Sequence, residues 1–157
     1  MIPYPISQLG YLIPTRGLLL ADPAAQSADL VLKLAQKAED GGLDSVWVGD
    51  SLTAKPRLEP LSVLAAIAAR TSRVRLGTAV LLAALRHPVL LAQTLATVDL
   101  ISKGRLVITA GVGGAFNEAQ VHEWHDAGVP ASGRAARLEE IVPVSYTHLT
   151  LPPILLV

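Results

Sequence analysis

Apolar residues recur along this chain in two alternating ways, as short unbroken runs and as longer stretches apolar on one face only. The alternation predicts strands exchanging with helices. The first run, Leu9 to Ile13, reads as a strand that gives way to a loop at Pro14-Thr15-Arg16-Gly17. Ser27 is placed to cap a helix carrying Leu30, Val31, Leu34, Ala35 and Ala38 on one face, with Lys33, Gln36, Lys37 and Glu39 opposite. Gly41-Gly42 stops that helix. Val46-Trp47-Val48 is then apolar on both faces, as a parallel strand covered by helices should be. Gly49 is expected to let the backbone turn, so that Asp50 and Ser51 emerge at the strand's carboxyl end.

The same unit returns twice more. Pro60 opens a helix through Leu61, Val63, Leu64, Ala65, Ile67 and Ala68, which Thr71-Ser72 ends, and Arg73 to Val80 is a third strand. Pro88 opens a helix through Leu90, Leu91, Leu95, Val98, Leu100 and Ile101, Lys103-Gly104 closes it, and Arg105 to Ala110 is a fourth strand. Strands about thirty residues apart have the spacing of βαβ units, whose right-handed crossovers make the strands parallel. Glu118 to Ala127 reads as a short extra helix stopped by Gly128, and Arg134 to Ile141 begins another. From Pro143 to Thr150 the chain is rich in β-branched residues, and Pro152-Pro153 forbids regular structure where a helix should continue. The expectation is a native sequence to about Val144 and a non-native tail over residues 145–157.

Composition narrows the picture. The chain has 157 residues, 51% hydrophobic but only 4% aromatic, so its core is aliphatic. Lysine plus arginine and aspartate plus glutamate number 13 each, which leaves no global field to recruit nucleic acid or an acidic membrane. With no cysteine, disulfides, thiolate metal sites and a thiol nucleophile are excluded. The apolar stretch Leu76 to Leu100 is broken by Arg86-His87-Pro88, so no membrane segment is expected, and Met1 to Pro5 lacks the pattern of a signal peptide. A cytoplasmic protein is the default expectation.

Candidate chemistry therefore lies at the carboxyl ends of the strands, where α/β folds bind their ligands. Asp50 is either a site acid or the cap of a turn. Gly111-Val112-Gly113-Gly114 fails the dinucleotide fingerprint, because Phe116 stands where its third glycine would be. These glycines permit either close approach of a cofactor ring or a tight turn. Asn117 either contacts a cofactor or caps the Glu118 helix. His87 either faces a substrate or is a solvated loop residue or local cap, and His122, Glu123 and His125 read as surface positions without metal-ligand spacing. Arg134 and Arg137 either pair with Glu139 or Glu140 or close their helix onto the rest of the fold.

Taken in order, Ala38-Glu39-Asp40-Gly41-Gly42-Leu43-Asp44-Ser45-Val46-Trp47-Val48-Gly49-Asp50, Arg75-Leu76-Gly77-Thr78-Ala79-Val80, Arg86-His87-Pro88, Gly104-Arg105-Leu106 and Gly111-Val112-Gly113 resemble the bacterial luciferase-like monooxygenase family. So do Gly128-Val129-Pro130 and Arg134-Ala135-Ala136-Arg137-Leu138-Glu139-Glu140. The resemblance implies a (β/α)8 TIM barrel, with residues 1–144 forming its amino-terminal half of about four βα units. It implies a flavin mononucleotide (FMN) or deazaflavin (coenzyme F420) at the strands' carboxyl ends, a small-molecule substrate, and monooxygenation or hydride transfer.

Carried over residue by residue, the resemblance implies a bulge with a non-prolyl cis peptide at Ala79-Val80 supporting the flavin ring. It puts Asp50 and Ser51 beside the ring, together with Gly111 and Asn117 in the loop after strand four. Two departures stand out: Ser51 occupies a position where the deazaflavin branch frequently has histidine, and Gly114 stands where its sugar-phosphate dehydrogenases have glutamate. A (β/α)8 enzyme needs roughly 250 residues, so the expectation is a fragment of a homodimeric oxidoreductase, inactive alone. The alternative is a non-catalytic barrel subunit that dimerises without binding cofactor.

Overall fold

The computed structural model describes residues 8–22 and 27–149, with side chains as far as Val144; Pro152-Pro153 lies outside them. In chain order the elements are β1 (Gly10–Leu12), α1 (Thr15–Ala21), α2 (Asp29–Asp40), β2 (Ser45–Val48), α3 (Pro60–Ala68), β3 (Arg75–Leu81), α4 (Pro88–Ser102), β4 (Leu106–Ala110), α5 (Glu118–Asp126) and α6 (Arg134–Leu149). A single 3-10 turn, Ala83–Leu85, precedes α4. The four strands form one parallel sheet in the order β1-β2-β3-β4. That is the predicted run of βα units, and two details of the prediction change. The segment expected to be loop after β1 begins α1, and the helix read as beginning over Arg134 to Ile141 runs through Pro143 to Leu149, into the expected tail. The cap of α2 also moves by one residue: Ala28 holds the N-cap position, while Ser27 Oγ accepts the Asp29 amide at 3.0 Å.

Register turns strand periodicity into two unlike faces. Tyr11, Val46, Leu76 and Leu106 stand side by side across the sheet and point to the helices. There they meet Val31, Ala35, Leu61, Leu64, Ile67, Leu91, Leu95 and Val98 in one continuous core. The next row, Leu12, Trp47, Gly77 and Val107, points the other way. No described helix covers that face, and Leu12 is 54% exposed on it. Trp47 lies flat across it: a Cβ on Gly77 would come within 2.1 Å of the indole, and one on Gly10 within 2.6 Å. Glycine on both neighbouring strands is thus the space the indole occupies. On α4 the expected apolar face is narrower than the sequence suggests, because Leu90, Leu100 and Ile101 are exposed and only Leu91, Ala92, Leu95 and Val98 are buried among its apolar residues. Leu30 of α2 is likewise exposed.

The amino-terminal end of the sheet is tied by two charged residues that the sequence pattern places on solvated surface or at a strand start. Glu39, near the end of α2, accepts the amides of Ser72, Arg73 and Val74 at 2.6–3.1 Å. Arg105 donates to the carbonyls of Ala68, Thr71, Val74 and Ser102. Burial pushes the Glu39 carboxyl up, and the three amides with the Arg105 charge outweigh it, so its pKa lies below the ordinary value. A carboxyl depressed in the folded state stabilises the fold above its unfolded pKa and loses that contribution as pH falls through the folded one. Unfolding free energy should therefore hold steady at neutral pH and fall as pH drops below about 4. In urea titrations of the complete gene product, Glu39→Gln should flatten that acid limb, and an unchanged limb would contradict the assignment.

Candidate functional site

The carboxyl ends of the strands carry the loops with the chemistry, and two carboxylates brace them from inside. Asp50, just past β2, is the first. Its side chain is 1% exposed, and its oxygens accept both terminal nitrogens of Arg86, at 2.5 and 3.0 Å, and the Leu82 amide at 2.8 Å. Arg86 also reaches Glu59 at 3.3 Å, while Glu59 caps α3 by accepting the Ser62 amide at 2.7 Å. Burial lowers the Arg86 pKa, but the hydrogen bonds and charges of Asp50 and Glu59 more than reverse this and hold the guanidinium charged. For Glu59, burial raises the carboxyl, and the Ser62 and Leu61 amides with the Arg86 charge bring it below its ordinary value. Asp50 thus faces into the protein, locking the turn after β3 against the turn after β2.

Glu123 is the second brace, and it corrects the reading of α5 as surface. His122 and His125 are exposed, whereas Glu123 and Trp124 are buried. Glu123 Oε1 accepts the Ser51 hydroxyl at 2.7 Å and the amides of Leu52, Thr53 and Ala54 at 2.6, 3.0 and 3.2 Å. Ser51 Oγ in turn accepts the Lys55 amide at 2.9 Å. Ser51, expected beside a cofactor, is therefore engaged in shaping its own loop. The signal for Glu123 lay beside it: Trp124 turns inward and donates its indole N–H to the Gly114 carbonyl at 2.8 Å, drawing that side of α5 into the protein.

Ala79 and Val80 lie at the rim in the manner the resemblance implies. The register of β3 against β4 slips between Ala79 and Leu81, forming a bulge, and the Ala79-Val80 peptide is cis. Both residues are exposed, Val80 to 39%. Below the bulge the Thr78 hydroxyl lies 3.1 Å from both the amide and the carbonyl of Thr109, holding β4 to β3 where the ladder is disturbed. Gly111 backs the bulge: a Cβ there would meet Val80 Cγ2 at 2.6 Å. Its close approach is thus to Val80.

Asn117 caps α5, its Oδ1 accepting the Gln120 amide at 3.0 Å, and the residue is exposed. His87 is exposed beside Pro88, and no group of three or more metal-ligating residues occurs among the described residues. Of the two roles open to Arg137, the structure shows the second: it donates to the Ala84 and Arg86 carbonyls, closing α6 onto the turn after β3.

Gly49 also departs from its expected role. Its φ is not positive, so the backbone does not demand glycine there. Instead a Cβ at position 49 would lie 2.7 Å from Arg57 Nη1, 3.0 Å from its Cζ and 3.5 Å from the Ala79 carbonyl oxygen. Arg57 Nε is sealed from solvent without a hydrogen-bond partner. The rim beside the bulge thus combines exposed apolar atoms with a seated cation that has no hydrogen-bond or ion-pair partner among the described residues. Exposed apolar atoms of that kind could hold the face of a planar ring.

Comparisons with known proteins show the family and the fold. A family model described as luciferase-like monooxygenase matches residues 7–149. A curated F420-dependent glucose-6-phosphate dehydrogenase of Amycolatopsis mediterranei (strain U-32) is 41% identical over 123 residues, covering 73% of this chain and 35% of that protein. The oxygenase component of a flavin-dependent trigonelline monooxygenase from Acinetobacter baylyi is 34% identical over 122 residues, covering 75% and 32%. The crystal structure of monooxygenase RslO1 from Streptomyces bottropensis superposes with a TM-score of 0.71 at 33% identity, over 88% of this chain and 41% of that one. The chain spans about a third of the length of the curated relatives it matches.

Proposed function

Since the chain belongs to the luciferase-like monooxygenase family, we propose that the protein it comes from is a flavin- or deazaflavin-dependent oxidoreductase acting on a small molecule. The observation that carries the proposal is the exposed apolar bulge at Ala79 and Val80, on the carboxyl rim of a parallel sheet. The names of the relatives support both flavin and F420 cofactors. Bound there, the cofactor would supply the redox chemistry, and the residues of this chain would position it.

Ala79 and Val80 would form the platform, with Gly111 letting Val80 pack against the strand behind it. The Asn117 amide nitrogen would face the ring from the loop after β4, its oxygen being held by the Gln120 amide. Asp50 and Ser51 act through their neighbours: Asp50 fixes the turn that follows the platform, and Ser51 fixes the loop that carries Arg57. Pairing of two copies belongs to the same proposal.

Titrating FMN and the deazaflavin separately with the complete gene product should quench the fluorescence of one of them. Val80→Asp should weaken that binding at least about tenfold, or about 1.4 kcal/mol, by setting a charge against the ring. Quenching of neither cofactor would overturn the proposal and favour a non-catalytic barrel subunit.

A further inference from the structure

The two carboxylates inside the rim have their charges met in different ways. Asp50 has the guanidinium of Arg86, whereas Glu123, 4% exposed, forms no ion pair among the described residues. Its charge is met by dipoles alone. The Ser51 hydroxyl and the amides of Leu52, Thr53 and Ala54 converge on Glu123 Oε1 at 2.6–3.2 Å. The Lys55 amide joins them at one remove, since by donating to Ser51 Oγ it leaves that hydroxyl's proton for the carboxylate. Successive amides aimed at one point make a concavity that receives anions. A neutral acceptor is held there less well, because hydrogen bonds to a charged oxygen are roughly twice as strong.

The occupant reaches this concavity from α5, 72 residues beyond Ser51. The helix has other anchors. Trp124, 1% exposed, fastens it to the Gly114 carbonyl, and Asn117 caps its first turn. Shortening residue 123 to alanine therefore leaves α5 standing over an emptied seat.

We propose that the loop at residues 51–55 is an anion receptor in its own right, with the Glu123 carboxylate as its tethered occupant, and that a small free carboxylate takes the same seat once that side chain is removed. Tethering keeps outside anions from the wild-type seat, since a group held on the spot acts at a high effective concentration. Formate is the probe that fits the alanine variant. It is the bare carboxylate, and the methylene deleted with it leaves the clearance that an unbonded contact needs. Acetate brings a carbon back into that clearance and should bind less well.

The test melts the complete gene product carrying Glu123→Ala in sodium formate and in sodium chloride of equal ionic strength. Formate at several times its dissociation constant should raise the melting temperature by about 2–4 °C over chloride. Acetate should raise it less, and formamide, neutral with the same outline, not at all. Wild type and Glu123→Gln, whose seats are filled, should melt alike in both salts. In the alanine variant, formate should also slow amide hydrogen exchange at residues 52–54 more than in β2, which marks the seat. If that variant is unfolded in chloride, formate should restore a cooperative melt, and a chain that stays unfolded in both salts contradicts the proposal. Equal melting of the folded variant in formate and chloride overturns it as well. So does an equal rise with formamide, which would make the seat a site for any acceptor, or an equal rise in wild type, which would put the anion elsewhere.

Discussion

Replacing Asp50 by alanine should destabilise the complete protein by about 3–5 kcal/mol, because the change strands a buried cation rather than deleting a surface charge. Arg86 has 15% of its side chain exposed and donates two hydrogen bonds to the Asp50 carboxylate; its remaining acid, Glu59, lies 3.3 Å away and is 48% exposed. The Leu82 amide loses its acceptor in the same stroke. Removing both charges should hurt less than removing one, since Asp50→Ala with Arg86→Met leaves no uncompensated ion. Urea midpoints of the two single variants and the double variant test this. Additive losses would mean that the pair does not behave as a buried unit.

Glu123→Ala should cost about 3 kcal/mol and should also loosen the loop after β2. One carboxylate oxygen serves the Ser51 hydroxyl and three consecutive amides, from Leu52 to Ala54. A buried donor left without an acceptor costs about 1–3 kcal/mol, and those of Leu52 and Thr53, in exposed residues, recover part of that from water. Glu123→Gln keeps an acceptor oxygen and should lose roughly half as much. The readout specific to the loop is amide hydrogen exchange at residues 52–55, which should speed up more than exchange in β2. Uniform acceleration across the sheet would place Glu123 in the general stability of the fold instead.

The repeated βα units were legible in the chain because their signals are periodic: a strand apolar on both faces at Val46-Trp47-Val48, and proline openings at Pro60 and Pro88. The misreadings have physical causes. α1 is seven residues long and holds Gly17, too short for a 3.6-residue period to show. α4 is so uniformly apolar that periodicity could not separate Leu91, which is buried, from Leu100, which is 80% exposed. The bulge expected at Ala79-Val80 came from ordered motifs, since two small apolar residues in a strand carry no chemical signal alone.

Asp50 and Ser51 were found as positions, but the direction of their side chains depends on Arg86 and Glu123, residues 36 and 72 further along. Glu123 was hidden by its exposed neighbours His122 and His125. Arg57 was hidden because a loop has no period, and the glycine that accommodates it looked like a turn.

Strand order in space repeats strand order in the chain, and this bears on how the protein is made. Thirty residues separate Val46 from Leu76, and thirty separate Leu76 from Leu106, across neighbouring pairings. During synthesis, with the amino terminus emerging first, each described strand after β1 meets an edge that has already left the ribosome. Growth of the sheet can then keep pace with translation, one unit docking on its predecessor, and every described strand after β1 finds a partner already synthesised.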